Sequence, residues 1–438
     1  MRILLINPGI YDNEGDLIKQ NRIWLPGLTL PHLAALFPPD IDITFVDEIT
    51  SDIPLYDRWD LVGISSIGSG IARTWDLGDH FRSRHIPVVI GGISATLGGY
   101  ERTKEHCDAL LTGEAENVIG SLVQDLRHKE LKSLYEGTQA DLAHLPVPRY
   151  DLFDKKKIGF WMPVQATRGC TNVCSFCSVA SFYSSTYRKR PIDQVIRDIE
   201  AVQRLGFNKI TIVDDNIGID KKYIKDLCKA MIPLKIHWMS QCAIQIGENE
   251  DILALMAESG CTMLSIGLES VQQESLDAVS KNINKVNHYR TYLKRIRQYG
   301  IDISTEMMIG IDADTETIFD AIYDFIVRCN ISVPRIYIIT PIPGTPLFDG
   351  WDRENRIFDY NFSHYNGARL VFYPKNMNYL TLEKNYWKLY KKLYSIPILF
   401  KRFFSSRPTR GFWENIFSFG ANFHYRKHIK KRIPPGIV

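Results

Sequence analysis

Twice along this chain, short runs of aliphatic and β-branched residues alternate with stretches of helical periodicity, and the second series has the longer repeat. Such alternation demands parallel strands joined by crossover helices, because a helix returns the chain to start the next strand in the same direction. The first series is RILLIN, DITFVD, DLVGISS, PVVIGG and DALLTG, with helices expected near 29–37, 70–84 and 115–128. It predicts a doubly wound, Rossmann-like parallel sheet over residues 1–140. A linker at 141–160, containing LPVPRYDLF, separates it from a second series. That series places strands at PVQATR (163–168), KITIVDD (209–215), IHWMSQC (236–242), TMLSIGLE (262–269), DISTEMMIG (302–310) and RIYIITP (335–341). Six βα units in succession predict a partial (β/α)6 TIM barrel over 161–345, followed by a helical basic region over 346–438. One crossover helix, PIDQVIRDIEAVQRLG, opens with Pro191 at a favoured first-turn position. A length of 438 residues suits two or three such domains.

Ligands of open parallel sheets bind at the carboxyl ends of the strands. On that edge the first series carries Ser65, Ser66, Gly68, Gly91, Gly92, Gly113 and Glu114. Small residues there let a phosphate or a nucleotide tail approach backbone N–H groups. Any one of these turns is equally well a tight strand-to-helix connection, but three on one edge point to a pocket. The first strand of the second series runs into RGCTNVCSFC, which crowds Cys170, Cys174 and Cys177 into eight residues on the rim where barrel active sites lie. A structural zinc needs a fourth protein ligand, and His144 and Cys228, the nearest candidates, lie outside this loop. A [4Fe–4S] cluster is held by three cysteines when one iron is left for an exogenous ligand, so the spacing favours the cluster, with zinc as the alternative. The other five cysteines show no framework spacing, and no signal segment or apolar run of the ~20 residues needed to cross a bilayer is visible. A cytoplasmic location with reduced thiols is the expectation.

RGCTNVCSFC resembles the CxxxCxxC signature of radical S-adenosylmethionine (SAM) enzymes, including the aromatic Phe176 beside the last cysteine. The resemblance implies that Cys170, Cys174 and Cys177 hold a [4Fe–4S] cluster, that SAM chelates the open iron, and that its cleavage gives a 5′-deoxyadenosyl radical. GGISATLGGYE and TGEAE resemble the Gly-Gly and Gly-Glu turns of the cobalamin-binding domain found in one subgroup. VDDNIG, SIGLESVQQESLDAVSKNIN, MMIGIDADT and ITPIPGTPLF extend the likeness through the core, and FDYNFSHYNGARLVFYPKNM resembles the accessory region of members that methylate or cyclise lipids such as hopanoids. By this resemblance Asp214, Asp215 and Asn216 fall at the methionine amino group. Glu269, Ser270 and Glu306 fall at the methionyl or ribose groups, with Gln241 on the same rim. Each of these is alternatively a solvated strand-end group. Arg190 is expected to pair with a carboxylate or to sit at a solvated helix entry. Two departures stand out: there is no Asp-x-His-x-x-Gly motif for a lower axial ligand, and Ser94 and Gly99 replace the His and Pro usual after the Gly-Gly turn.

Charge is unevenly spread. From Ile396 onward nine Lys or Arg residues (Lys401, Arg402, Arg407, Arg410, Arg426, Lys427, Lys430, Lys431 and Arg432) face one acid, Glu414, which leaves the rest of the chain near −5. Aromatics and bases interleave at helical spacing from Leu380 onward, which fits a helical lid on the barrel and also peripheral contact with an anionic membrane. With no appended RNA-binding module and no second cysteine cluster, nucleic acid is not the expected partner. The function expected is cobalamin-dependent methylation of an unactivated carbon in a small-molecule or lipid-like natural-product substrate, with an electron donor such as a flavodoxin or ferredoxin. The alternatives are cyclisation, rearrangement or dehydration with cobalamin silent or absent, and, more distantly, a non-catalytic iron–sulfur or zinc protein.

Overall fold

A computed structural model describes residues 1–98, 100–406 and 412–436. Gly99, Arg407, Arg410 and the side chain of Glu414 lie outside the described residues. Strands β1 (Arg2–Asn7), β2 (Asp42–Asp47), β3 (Leu61–Ser65), β4 (Val88–Gly91), β5 (Ala109–Thr112) and β6 (Leu134–Glu136) form one parallel sheet in the order β2-β1-β3-β4-β5-β6. Strand β6, only three residues long with a polar end, carries no periodic signal and is an addition to the five expected. Both faces are apolar, as a sheet covered by helices on each side requires. Ile3 and Leu5 pack with Leu30, Ala34, Leu122 and Val123 on one face, while Leu4 and Ile6 pack with Leu77 and Phe81 on the other. The order reverses between β1 and β3, the switch point at which sheets of this kind bind their ligands.

The second sheet contains β7 (Trp161–Val164), β10 (Lys209–Ile212), β11 (His237–Cys242), β12 (Cys261–Glu269), β13 (Asp302–Ile309) and β14 (Val333–Ile338), parallel and in the order β14-β13-β12-β11-β10-β7. Every βα unit therefore adds its strand to the same growing edge, the winding of a partial barrel. The first strand is shorter than PVQATR suggests. It stops at Val164, because the N–H groups of Ala166 and Thr167 donate to the Asp214 carboxylate (2.8 and 3.0 Å) rather than to a strand. The chain then forms a hairpin of β8 (Thr167–Gly169) with β9 (Tyr187–Lys189), and this hairpin brackets the cysteine loop. The stretch 141–160 is packed rather than a free linker: Leu142, Tyr150, Phe153 and Ile158 are buried, and Ile158 bridges to Ile23. Pro191 stands at the N-cap of the helix Ile192–Arg204.

Strand β14 ends the sheet, and a bare edge needs cover. Helix Tyr379–Leu393 supplies it with tyrosines four residues apart, a spacing that aligns them on one face. The Tyr390 hydroxyl accepts from the Ile336 N–H (2.7 Å) and donates to the Ile336 carbonyl (2.6 Å). Tyr386 donates to the same carbonyl and Tyr394 to that of Pro334. Asn422, on the helix Phe412–Ile429, donates to the Ser332 carbonyl. The inner aromatics of the extension are thus core, as a lid requires. Among the described residues no helix is long and apolar enough to cross a membrane.

Candidate active site at the barrel rim

The two ligand edges face each other. The barrel loop at Pro343 and Gly344 packs against Leu97 and Gly98, and the helix Ile93–Leu97 lies against Ser178–Phe182, which follows the cysteine loop. The cysteine loop is pinned by backbone: the Ser175 N–H donates to Val279, and the Ser175 carbonyl accepts from Leu347. Burial pushes the Cys174 thiol up to about 11 and also raises Cys177, so both need a cation or metal nearby to ionise at neutral pH. The three sulfurs are not all within 4.8 Å of one another; among the described residues that closeness is met only by the acids Asp12, Glu14 and Asp16.

A cavity of about 400 Å³ opens from the thiols across the rim. Cys170, Cys174 and Cys177 line it, as do Asp215, Asn216, Gln241, Glu269 and Glu306. Asn216 bridges two elements, its amide 3.8 Å from the Cys170 sulfur and its carbonyl accepting from the Ala243 N–H at 3.1 Å. The Asp215 carboxylate accepts from the Gly169 N–H at 2.8 Å, and burial raises its pKa. Glu269 sits at φ +65° where strand β12 slips register against β13. Strain of this kind persists only where the surroundings hold it. Here Asn284 donates to the carbonyls of Gly267 and Leu268, and the Tyr289 hydroxyl to that of Leu268. Burial raises Glu269, opposed by Lys281, whose ammonium lies 3.1 Å away.

Three expected contacts are corrected. Asp214 does not line the cavity: its carboxylate takes the Ala166 and Thr167 N–H groups and the Thr167 hydroxyl (2.7 Å), anchoring the strand exit. Burial pushes it up to about 7. Ser270 is fully buried behind the rim, its hydroxyl accepting from the Gln272 N–H. Glu114 does not present a free carboxylate to the first sheet's ligand edge. It pairs with Arg168 (3.0 Å) and Arg188 of the barrel hairpin and accepts from the Ala140 N–H, so it ties the two units together. Beside it, burial acts to raise Glu116, but the hydrogen bond from His32 and the charge of Arg168 win and bring it down to about 2. Arg190 pairs with buried Asp198 at 2.8 Å.

On the first sheet's edge Ser65 is half-buried, and Gly68 and Gly92 adopt φ +56° and +99°. A Cβ at Gly92 would lie 2.5 Å from the Ser66 carbonyl oxygen, so only glycine allows β3 and β4 to end this close. The Ser66 hydroxyl is buried with no protein partner. Gly91 is half-buried at the end of β4, and Gly113 closes β5 against Gly137. Further side chains, not singled out from the sequence, brace the two edges. Glu48 holds the Gly9 N–H (2.8 Å) and Arg73 at the switch point; Lys281 faces the thiols; and Arg335, with Ser265, fixes Glu306 inside the barrel. Lys281 lies within VSKNIN, a segment conspicuous in itself, but nothing local marks its lysine as buried.

A partial barrel carrying three spaced thiols on its first loop, with an acid-lined cavity beside them, suits an iron–sulfur enzyme whose cluster keeps one iron open. The pattern of the radical SAM superfamily matches residues 164–326. Bacteriochlorophyllide d C-12(1)-methyltransferase of Chlorobaculum tepidum is 30% identical over 420 residues, covering 94% of this chain and 91% of that protein. Bacteriochlorophyllide d C-8(2)-methyltransferase of the same organism is 27% identical, covering 84% and 85%. The structure of the radical SAM methyltransferase TsrM from Kitasatospora setae, with cobalamin and a [4Fe–4S] cluster bound, superposes with a TM-score of 0.70 at 15% identity, over 98% of this chain and 99% of that one. The chain belongs to the radical SAM superfamily, and it is a radical SAM enzyme.

Proposed function

We propose that this enzyme methylates an unactivated carbon on an apolar, lipid-like or natural-product substrate in a cobalamin-dependent reaction. The observation that carries the reading is the opposition of two ligand edges. The glycine-rich strand ends of the first sheet, with the buried and unpartnered Ser66 hydroxyl, lie beside Leu97 and Gly98, which pack on the barrel loop at Pro343 and Gly344. The names of the two bacteriochlorophyllide methyltransferases support it. When bound, the cluster with SAM supplies a 5′-deoxyadenosyl radical and cobalamin supplies the methyl group. In this reading residues 1–140 hold cobalamin at Ser65, Ser66, Gly68, Gly91, Gly92 and Gly113, and residues 161–345 hold the cluster through Cys170, Cys174 and Cys177.

The chain's own groups orient the reactants. Asp215, Asn216 and Gln241 offer acceptors to an ammonium and to hydroxyls, while Glu269 and Glu306, held by Lys281 and Arg335, keep fixed positions across the cavity. Phe176, Met308, Tyr337 and Ile342 add apolar wall, which excludes water from a carbon-centred reaction. A flavodoxin or ferredoxin supplies the electron. The test is to reconstitute the chain anaerobically, offer hydroxocobalamin, remove the excess, and turn it over with SAM deuterated in its methyl group against an apolar substrate extract. Retained cobalt and a product carrying the labelled methyl support the proposal. A product of unchanged mass from cobalt-free protein points instead to cyclisation or rearrangement.

A further inference from the structure

We infer that the C-terminal extension from Tyr379 onward docks this protein on the surface of an anionic lipid bilayer. From Tyr379 to Val438 thirteen Lys and Arg residues stand against Glu383 and Glu414, a net +11 in a chain whose total is +3, so the remainder carries −8. The inner face of this extension is occupied by the tyrosines that cover β14. Its outer face carries exposed bases and bulky apolar side chains.

An open groove of about 630 Å³ runs along the outer side of helix Tyr379–Leu393. Phe358, Leu370 and Trp387 form its apolar floor, and Leu380 stands 68% exposed at its margin. Lys384, Lys388 and Lys391 recur one turn apart along it, and Arg432 joins them. The single acid there, Glu383, already has Arg432 4.0 Å away. On the next helix, Ile396–Ser406, the exposed Ile396, Phe400 and Phe404 fall four residues apart and so share one stripe beside Lys401. Exposed bulky apolar groups bordered by lysines, on helices too short and too polar to span, are what the headgroup boundary of an anionic leaflet accommodates. Aliphatic Leu380 and Ile396 offer no stacking surface to a base, which favours lipid over a single-stranded nucleic acid.

The test uses the full chain and sedimentation with vesicles of phosphatidylcholine, with and without phosphatidylglycerol. The protein pellets with the anionic vesicles and stays in solution with the zwitterionic ones. Lys384→Gln, Lys388→Gln and Lys391→Gln together lower the partition coefficient roughly a hundredfold. Phe400→Ser with Phe404→Ser lowers it roughly tenfold at any salt concentration. All five side chains are exposed and none lines the cavity at the cysteines, so 5′-deoxyadenosine formation stays at the parent level, and thermal unfolding checks that losing the Phe400–Phe419 and Phe403–Phe404 ring contacts leaves the chain folded. Equal pelleting with both vesicle types, no pelleting, or a triple variant that partitions like the parent overturns the inference. So does an oligonucleotide that strips the protein from vesicles through the same lysines, which would assign the surface to nucleic acid.

Discussion

Gly92 and Gly68 both lie on the ligand edge of the first sheet and both have positive φ, yet replacing them by alanine should give different results. At Gly92, φ +99° with ψ 178° belongs to a region open to glycine, and the new Cβ would meet the Ser66 oxygen at 2.5 Å, the Ser66 nitrogen at 2.9 Å and Ser65 Oγ at 3.2 Å. Two of these are backbone atoms of the neighbouring strand end and have no rotamer to escape through. Conformational strain of ~1–3 kcal/mol and overpacking of similar size add to roughly 4 kcal/mol, concentrated where β3 and β4 end. At Gly68 the Cβ meets nothing within 4 Å. The αL penalty of ~1–2 kcal/mol is partly offset by the stiffer unfolded chain, leaving a cost of about 1 kcal/mol. Titration of the purified chain with hydroxocobalamin, followed by absorption, should show Gly92→Ala weakened at least ~tenfold, since a shift of 1.4 kcal/mol already gives that factor. Gly68→Ala should bind within a few-fold of the parent. Equal behaviour of the two variants would refute the claim that the β3–β4 turn shapes the ligand edge.

Lys281→Met leaves Glu269 buried without its cation and should destabilise the apo chain to urea by roughly 3–5 kcal/mol, whereas adding Glu269→Gln restores most of the loss. Asp214 sits at about 7 when folded against 3.8 unfolded, so its contribution is fully present below pH 3.8 and is lost as pH rises through 7. Urea denaturation at pH 5 and pH 8 should therefore show Asp214→Asn gaining roughly 3 kcal/mol relative to the parent over that interval. Tyr390→Phe strands the Ile336 N–H on the sheet edge, costing about 2 kcal/mol and speeding hydrogen exchange in the peptide covering β14.

What was legible in the sequence is local. The cysteine loop, the aliphatic strands and the Gly-Gly turn each announce themselves within ten residues, because pleat period and turn chemistry are short-range. Roles set by distant partners were not legible. Asp214 reads as a rim acid until Ala166 and Thr167, nearly fifty residues earlier, present their N–H groups to it. Glu114 reads as a ligand-edge acid until Arg168 and Arg188 arrive from the other unit. The segment 141–160 reads as a linker from its prolines, although Tyr150 and Phe153 already hint that it packs. The tail could be read two ways because its aromatics divide: Tyr386, Tyr390 and Tyr394 face inward on β14, while Phe400 and Phe404 are exposed.

The central claim is that three cysteines hold a cluster whose remaining iron is open to SAM. Electron paramagnetic resonance of the anaerobically reconstituted, reduced chain tests it most directly, recorded before and after SAM is added and followed by assay for 5′-deoxyadenosine. The account predicts a [4Fe–4S]⁺ signal that changes shape on addition of SAM, nucleoside formed under reduction, and loss of both signal and nucleoside in the Cys170→Ala, Cys174→Ala, Cys177→Ala variant. A cluster signal indifferent to SAM, or nucleoside formation surviving the triple substitution, would contradict it.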